Sequence, residues 1–351
     1  MKICIVTVYN SINCGSWLQA YALKKYFEKC DDDVYFLKRN NIGSSASIMH
    51  KIINLSKKLL KYGPKKFYRQ YLIYRDFNQK LKSFKIISKK SKIFKQIDCF
   101  VLGSDTIWNI SEKYFYHNRK DYFGALNTMN SKIVTYAVSI GNTDAKMFDL
   151  NFKEYISKMD LISVRDVSTK NMVLNLCDRK PFMVCDPTLL LNPSDFDDLI
   201  IDDNVNSNKK FIFLYLFEKL SEQNADLLKK FAKEKECTII NGVIDDKRFD
   251  KNNRNSPSFF LNCMKKADYV ITDTFHGLMF SLIYEKNFLV INRNKIKINE
   301  FMIENEIDNR LANSEELLNI NMLNKKFVLS KNRKIVELKK KSEEYLKSIK
   351  N

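Results

Sequence analysis

Long apolar runs, paired cysteines and glycine-rich loops are missing from this chain of 351 residues. Its apolar runs, such as residues 211–217, are far shorter than the roughly 20 residues that cross a bilayer. Because the chain opens directly on an apolar strand pattern at residues 3–8, we expect neither a signal peptide nor a membrane anchor. The eight cysteines occur singly, without the CxxC spacing of zinc or redox motifs. These absences predict reduced core thiols in a cytoplasmic protein that needs no metal and no cofactor.

Basic residues are in large excess, and the net charge of +19 favours anionic partners. The excess is concentrated in residues 51–95, which contain fifteen basic residues and the single acid Asp76, interleaved with apolar and aromatic side chains. This pattern is typical of basic amphipathic helices, and among functions it favours attachment to an anionic membrane surface. The alternative is a solvated lysine-rich face. Nucleic acid is not expected as a partner, because 49 of the 60 basic residues are lysine and no nucleic-acid-binding motif is present.

Short β-branched runs alternate with helical patterns along the chain, which predicts an α/β fold. A polar stretch at residues 192–210 separates two such alternations. We therefore predict two Rossmann-like domains that face a cleft, because each parallel sheet needs helices on both faces. The predicted parts are an N-terminal domain at residues 1–191 with a lysine-rich helical insert at about 48–97, a linker at 192–210, a C-terminal domain at 211–330 and a C-terminal helix at 331–351.

His276, one of only three histidines, follows a buried strand pattern at residues 269–272 and begins a helix predicted at 277–284. Ligands of open α/β sheets bind at the carboxyl ends of strands, where helix N-termini attract anions. A proton carrier at this point predicts chemistry on an anionic substrate. The alternative is that His276 caps the helix or packs beside Phe275 and Phe280.

Polar residues follow two other strand patterns of the first half. Asn13 and Gly15 open a helix after residues 3–8, where Gly15 could bring backbone N–H groups close to a ligand, although the three glycines of a dinucleotide-binding fingerprint are absent. Ser104 and Asp105 follow the strand pattern at residues 99–102. For this pair a helix N-cap is the alternative to ligand binding.

Arg165 and Asp186 end two further strand patterns, at residues 162–164 and 182–185. The guanidinium fork of Arg165 suits a carboxylate or a phosphate. The alternative is an ion pair with Asp166 or Asp186, because buried charges are usually paired. Asp186 could orient a sugar hydroxyl or a cationic partner, or its side chain could hold a turn.

Taken in order, these segments resemble the polysaccharide pyruvyltransferase family from residue 1 to about residue 292. The motifs that carry the resemblance are NCG at 13–15, LQAYAL at 18–23, GSDTIWN at 103–109, YAVSIG at 136–141, SVRD at 163–166, DPTLLL at 186–191 and TDTFHGLMFS at 272–281. The resemblance implies a GT-B-like pair of Rossmann domains and transfer of a pyruvyl group from phosphoenolpyruvate to a sugar as a ketal, with release of phosphate. It also implies that His276 is the catalytic histidine and that Arg165 binds phosphoenolpyruvate.

The chain departs from the family at one position, because members often carry Arg-Leu-His where this sequence has Thr274, Phe275 and His276. Thr274 can still donate a hydrogen bond, and Arg293 is a candidate to replace the lost charge. In the predicted mechanism His276 protonates the methylene carbon of the donor. The helix start at Gly277 and Arg165 hold its anionic groups.

The remaining predicted roles concern the acceptor. Asp105 or Asp186 orients it or takes its proton, and Asn13, Gly15, Ser104 and Phe275 complete the predicted binding site. The resemblance implies an acceptor that is a saccharide or a lipid-linked saccharide at the inner face of the membrane. Two alternatives remain: a GT-B glycosyltransferase that uses a nucleotide sugar, and a non-catalytic scaffold tethered by the basic insert.

Overall fold

The computed structural model describes residues 1–39, 48–113, 115, 119–126, 130–201, 209–244, 246–251, 255–313 and 317–350. Contacts divide the chain into two units. The first contains Met1–Ile12, Gln19–Pro187 and Ser342–Asn351, and the second contains Asn13–Leu18 and Thr188–Lys341. The residues at the start of the first helix therefore belong with the second unit, although the rest of that helix belongs with the first.

The first unit is built on a parallel sheet. Its strands are β1 Lys2–Val6, β2 Asp33–Leu37, β3 Ile86–Ile87, β4 Cys99–Asp105, β5 Lys132–Val138, β6 Ser163–Val164 and β7 Phe182–Met183. They are ordered β3-β2-β1-β4-β5-β6-β7. All seven residues of β4 are buried, as expected for a central strand covered on both faces.

Helices connect these strands. They are α1 Cys14–Glu28, α2 Ile48–Leu81, α3 Arg119–Tyr122, α4 Leu150–Ser157 and α5 Val167–Cys177. The predicted insert at 48–97 is α-helical only to Leu81; strand β3, which pairs in parallel with β2, and a 3-10 helix at Lys92–Gln96 follow. Helix α2 is itself interrupted at Gly63, where φ is 73°, and a proline follows, which removes a helix hydrogen bond.

The second unit is built on a second parallel sheet. Its strands are β8 Phe211–Tyr215, β9 Thr238–Asn241, β10 Asp250–Lys251, β11 Tyr269–Thr272, β12 Asn287–Asn292 and β13 Leu311–Asn313. They are ordered β10-β9-β8-β11-β12-β13. The helices are α6 Glu222–Glu234, α7 Pro257–Lys266, α8 Phe275–Ile283, α9 Ile296–Glu304 and α10 Arg333–Ser348, the last of which continues into the first unit after Lys341.

The prediction of an α/β fold with two Rossmann-like units is confirmed by these two parallel sheets. In both sheets the chain first builds strands outward on one side and then returns to build the other side. The reversal lies between β1 and β4 in the first unit and between β8 and β11 in the second. Ligands of open α/β sheets bind at the carboxyl ends of strands at such a switch point. The topology therefore directs attention to the residues that follow β1, β4, β8 and β11.

In the part of the chain that the structure describes, no helix is both long and apolar enough to cross a membrane.

Candidate functional site

His276 is the second residue of helix α8, directly after the switch-point strand β11. The helix is capped by Thr274, whose Oγ1 accepts the N–H of Gly277 at 2.8 Å. Thr272 holds the same turn, because its Oγ1 accepts the N–H of Thr274 at 3.1 Å and donates to the carbonyl of Tyr215 at 2.9 Å. The cap of the helix is therefore Thr274 and not His276. The side chain of His276 is half-buried.

The imidazole of His276 lies against the start of helix α1. A Cβ atom placed on Gly15 would lie only 2.1 Å from Nδ1 of His276 and 2.5 Å from its Cγ, so this approach requires glycine. Asn13 caps α1, because its Oδ1 accepts the N–H of Gly15 at 2.9 Å. Two helix N-termini thus meet at one histidine. Each carries a partial positive charge that stabilises an anion.

The start of α1 is anchored within the second unit by Asn255. Its Oδ1 accepts the thiol of Cys14 at 3.1 Å and the hydroxyl of Tyr215 at 3.3 Å. Burial, with a smaller contribution from Cys14, raises the pKa of Tyr215 well above its ordinary value. The hydroxyl of Tyr215 and the thiol of Cys14 thus share one acceptor, which ties the start of α1 to the end of β8.

Phe275 and Gly277 flank the histidine and are both buried. The ring of Phe275 packs edge-on against His276 at 5.7 Å and against Phe301 at 5.8 Å between centroids. A Cβ atom on Gly277 would lie 2.0 Å from Oγ1 of Thr272. Phe275 therefore packs against the imidazole, and the absence of a side chain at Gly277 leaves room for Thr272 in the turn before the histidine.

Asp273 organises the loops at the same edge of the sheet, and no role was predicted for it. It is fully buried, and its carboxylate accepts the N–H of Phe217 at 3.0 Å and Nε of Arg293 at 3.0 Å. Arg293 also donates to the carboxylate of Glu218 at 3.0 Å and to the backbone carbonyls of Glu218 and Lys219. These contacts show that Arg293 braces the loop after β8. The expectation that it replaces the missing family arginine is therefore not supported by its contacts.

Arg165, Asp105 and Asp186 form a buried cluster in the first unit. The Nη1 atom of Arg165 lies 2.5 Å from Oδ2 of Asp186, and its Nη2 atom lies 3.4 Å from Oδ1 of Asp105. The alternative of an ion pair is thus realised with Asp186. Asp166 is engaged elsewhere, because it caps α5 by accepting the N–H of Thr169 at 2.8 Å. Two carboxylates around one guanidinium leave a formal charge of one negative unit.

Asp105 ends β4 with a positive φ of 72°, a conformation that is uncommon for residues other than glycine. Its Oδ1 accepts the N–H of Thr106 at 2.8 Å. Backbone strain of this kind is concentrated at functional sites. No helix begins after Asp105 in the described residues that follow it directly, so the alternative of a helix cap is wrong.

Ser104 lies on β4, one of the two switch-point strands of the first unit, and is fully buried. Its hydroxyl donates to Oε1 of Gln19 at 2.8 Å, and its carbonyl accepts the hydroxyl of Thr7 at 3.0 Å. Gln19 in turn donates to the carbonyl of Val8 at 3.1 Å. The structure therefore places Ser104 in a network that joins β1, β4 and α1. Thr7 and Gln19 were not predicted, because neither belongs to a polar cluster in the sequence.

Among the described residues, no group of three or more histidine, cysteine, aspartate or glutamate side chains is arranged to hold a metal ion. None of the eight cysteines, all of which lie among the described residues, forms a disulfide bond.

The two units, each with polar residues at the switch point of a parallel sheet, define an α/β protein of the GT-B-like class. UDP-GlcNAc 2-epimerase from Methanocaldococcus jannaschii has a similar fold, with a TM-score of 0.50 at 14% identity over 100% of this chain and 99% of that chain. Another UDP-N-acetylglucosamine 2-epimerase gives a TM-score of 0.51 at 12% identity over 99% of this chain and 95% of that chain. At such identities the likeness shows the fold alone.

The chain belongs to the polysaccharide pyruvyl transferase family, whose sequence model matches residues 13–295. The resemblance found in the sequence is thereby confirmed, and the protein is a transferase. Comparison with curated protein sequences gives no match.

Proposed function

We propose that this enzyme transfers the pyruvyl group of phosphoenolpyruvate to two hydroxyls of one saccharide residue. The observation that supports this most is the placement of His276, a proton carrier, where two helix N-termini meet after the switch-point strand β11. Such a position favours a substrate that is both anionic and in need of a proton. Phosphoenolpyruvate meets both conditions, since it carries a carboxylate and a phosphate next to a nucleophilic methylene carbon.

The proposed reaction forms two C–O bonds and breaks one. Protonation of the methylene carbon makes C2 electrophilic, and a first sugar hydroxyl adds to it. The bond between C2 and the phosphate oxygen then breaks, and a second hydroxyl of the same sugar closes the ketal. Of the two hydroxyl protons, one replaces the proton given to the methylene group and the other leaves with phosphate.

In this proposal His276 is the general acid, because an imidazole can carry and deliver a proton, and a positioned acid contributes about 10² to 10⁴ in rate. The capped start of α8 at Thr274 and Gly277, with the start of α1 at Asn13 and Gly15, supplies an electropositive environment. Both helix starts are fixed before substrate arrives, so they need no reorganisation during the reaction.

Asp105 is proposed to take a proton from the acceptor, with Asp186 orienting the acceptor. Arg165 is proposed to hold an anionic group of the donor. Its long 3.4 Å contact with Asp105 is weaker than its 2.5 Å contact with Asp186, so a donor oxygen would compete at Nη2 while Asp186 holds Nη1. Arg165→Lys should weaken donor binding more than folding, because lysine lacks the rigid fork. Unchanged donor affinity would remove this role.

Donor identity can be tested by thermal unfolding with phosphoenolpyruvate and with a panel of nucleotide sugars. A ligand at about 100 times its Kd adds roughly 2.7 kcal/mol of stability. We expect phosphoenolpyruvate to stabilise the wild type, Arg165→Ala to reduce this effect, and the exposed control Arg333→Ala to retain it. Stabilisation by a nucleotide sugar alone would instead identify a glycosyltransferase. Stabilisation by no donor would favour a non-catalytic scaffold.

We further propose a cytoplasmic enzyme that meets a lipid-linked saccharide at the inner face of the membrane. Its support is the basic segment at residues 51–95, although most side chains of its first part lie outside the described residues. Further along α2, Tyr68 and Tyr71 are 61% and 50% exposed, as amphipathic residues at a membrane surface would be. Binding to anionic vesicles that falls with salt is expected. Equal binding to neutral vesicles would contradict it.

A further inference from the structure

A cavity of about 410 Å³ lies beside the start of helix α10, within the second unit. Its wall contains Arg310, Lys331 and Arg333. Arg310 directly precedes β13, and its Nη1 atom donates to the carbonyl of Phe288, the second residue of β12, at 3.1 Å. The cavity therefore lies at the edge of the sheet where the strands begin, opposite to the edge that carries His276.

The guanidinium of Arg310 is buried without a carboxylate partner. Arg310 is only 5% exposed, and its Nη atoms donate to the backbone carbonyls of Phe288, Met322 and Lys325. Its Cζ atom lies 4.9 Å from the ring centroid of Phe288 and 5.7 Å from that of Phe327. In the part of the chain that the structure describes, no carboxylate contacts Arg310 and no partner is found for its Nε. Burial lowers the pKa of Arg310, as expected for a cation with no carboxylate beside it.

The charged groups around the cavity leave a positive surplus. The carboxylate of Glu306 lies in the wall and is 3.7 Å from the Nζ atom of Lys334, so it is already matched by a cation. Among the described residues, the charged groups that line the cavity or adjoin its lining residues in the chain are the cations Arg310, Lys331, Arg333 and Lys334 and the carboxylates Glu306 and Asp308. Two positive units therefore remain after every carboxylate of this set is counted.

Helix α10 begins with cations, although the N-terminus of a helix favours acids. Its 16 residues start with Arg333 and Lys334, and its first turn contains no acid. The side chain of Asn332 holds the turn before the helix, because its Oδ1 accepts the N–H of Ile335 at 3.0 Å. Local conflicts of this kind occur at functional sites. A bound anion would relieve the repulsion between these cations and the helix dipole.

We propose that this cavity binds a diphosphate group, which Arg310 and Lys331 contact. A diphosphate carries more than one negative charge, as the positive surplus requires. The planar fork of arginine binds two phosphate oxygens at once, and lysine adds a point charge with rotatable donors. Nucleoside diphosphates and lipid diphosphates both carry this group. The site is separate from the proposed donor site, because it lies at the opposite edge of the second sheet.

Titration calorimetry with inorganic pyrophosphate tests this proposal. We expect Lys331→Met to raise the Kd about tenfold or more, as for loss of a hydrogen bond to a charged group. Lys331→Arg should bind better than Lys331→Met. The matched control is Lys340→Met, at an exposed position further along α10, which should bind like the wild type. Arg310→Lys keeps the charge but loses the fork, so it should also weaken binding. Phosphoenolpyruvate should not displace pyrophosphate.

Two further ligands identify the source of the diphosphate. Tighter binding of ADP than of pyrophosphate, lost in Lys331→Met, would support a nucleotide. Binding to phosphatidylcholine vesicles only when they contain farnesyl diphosphate would support a lipid headgroup. Equal pyrophosphate affinity in the wild type and Lys331→Met, displacement by phosphoenolpyruvate, or no binding by the wild type would overturn the proposal and leave the proposed function standing. If Arg310→Lys unfolds early, the variants of the exposed Lys331 decide.

Discussion

The absence of a side chain at Gly15 allows His276 to lie against the start of helix α1. Any larger residue would occupy the space of the imidazole, because even a Cβ atom would lie 2.1 Å from Nδ1. The hydrogen bonds of Asn13 and the packing of Phe275 then fix the two partners. At this scale the site consists of one titratable group whose position is determined by its neighbours.

Gly15→Ala should therefore displace the imidazole. A shift of about 1 Å in a reacting group can cost about 10² in rate, so we expect a comparable fall in phosphate release from phosphoenolpyruvate in the presence of acceptor. Stability should fall as well, by about 1 to 3 kcal/mol, because the added methyl group overpacks a buried contact, so turnover is compared under conditions in which both proteins are folded. Ser16→Ala, at the next position of α1, is the control. Wild-type turnover by Gly15→Ala would contradict the placement of His276.

The sequence predicted which residues follow strands, but it did not predict which of them meet. The placement of His276, Arg165 and Asp186 near strand ends was predicted because each follows a short apolar run that is typical of a buried strand. The contact between Gly15 and His276 could not be predicted, because it depends on residues 13–18 grouping with the second unit. The pairing of Arg165 with Asp186 was open for a similar reason, since it depends on β6 and β7 being neighbours.

Strand-to-helix turns are the elements that present the polar residues of both units. In the first unit Arg165 directly follows β6, and Asp166 caps helix α5. In the second unit Thr274 caps α8 one residue before Phe275. A capped helix start satisfies orphan N–H groups and holds the adjacent side chain in place. The capping residues thus stabilise the helix starts, whereas the residues next to them in the chain are the ones proposed to act on the substrate.

The substitution Asp166→Ala should lower stability without affecting donor binding. Loss of the cap should lower the free energy of unfolding by about 1 kcal/mol, measured by urea denaturation. Donor binding should persist, because Asp166 accepts from Thr169 rather than from Arg165. The control is Asp149→Ala, which removes the more exposed cap of α4. Lost donor binding at unchanged stability would assign Asp166 to the site instead.

Elements differ in how well their sequence predicts them. Periodic segments such as α8, α10 and the central strands were predicted within a few residues of their observed bounds. Strands β3 and β10, of two residues each, are too short to show a period. The residues after the predicted strand at 99–102 extend β4 to Asp105 rather than starting a helix, and among them Gly103 and Asp105 adopt φ values of 116° and 72°. Such backbone angles are not visible in an apolar pattern.

At the scale of the whole molecule, two units use the same plan. Each is a parallel sheet whose strand order reverses once, and each places polar residues at the carboxyl ends of its central strands. The sequence predicted this plan from alternation alone. The domain bounds based on the polar stretch at 192–210 stay a prediction. The contacts divide the chain between Pro187 and Thr188.

Buried thiols in the central strands of the first sheet should make the stability of the molecule fall at alkaline pH. Burial raises the pKa of Cys99 from 9.0 to about 12, and burial, with the neighbouring Cys99, raises that of Cys4 further. Above pH 9 the unfolded chain loses protons that the folded chain retains. The free energy of unfolding therefore falls as pH rises, by at most about 1.4 kcal/mol per pH unit for each thiol.

Urea denaturation between pH 8 and pH 10 measures this slope. Cys99→Ala should flatten it relative to the wild type, whatever its effect on stability at pH 8. Cys30→Ala, at an exposed cysteine, should leave the slope unchanged. An identical slope in Cys99→Ala and the wild type would show that the buried thiol is not the cause.

The central proposal is that His276 is the general acid for pyruvyl transfer from phosphoenolpyruvate. Its most direct test is to incubate wild type and His276→Ala with phosphoenolpyruvate and a saccharide acceptor, and to measure phosphate release and pyruvyl ketal by mass spectrometry. We expect the wild type to form one ketal for each phosphate released, and His276→Ala to be slower by about 10² to 10⁴ with its fold intact. Near-native turnover by His276→Ala, or phosphate release without ketal, would contradict the account.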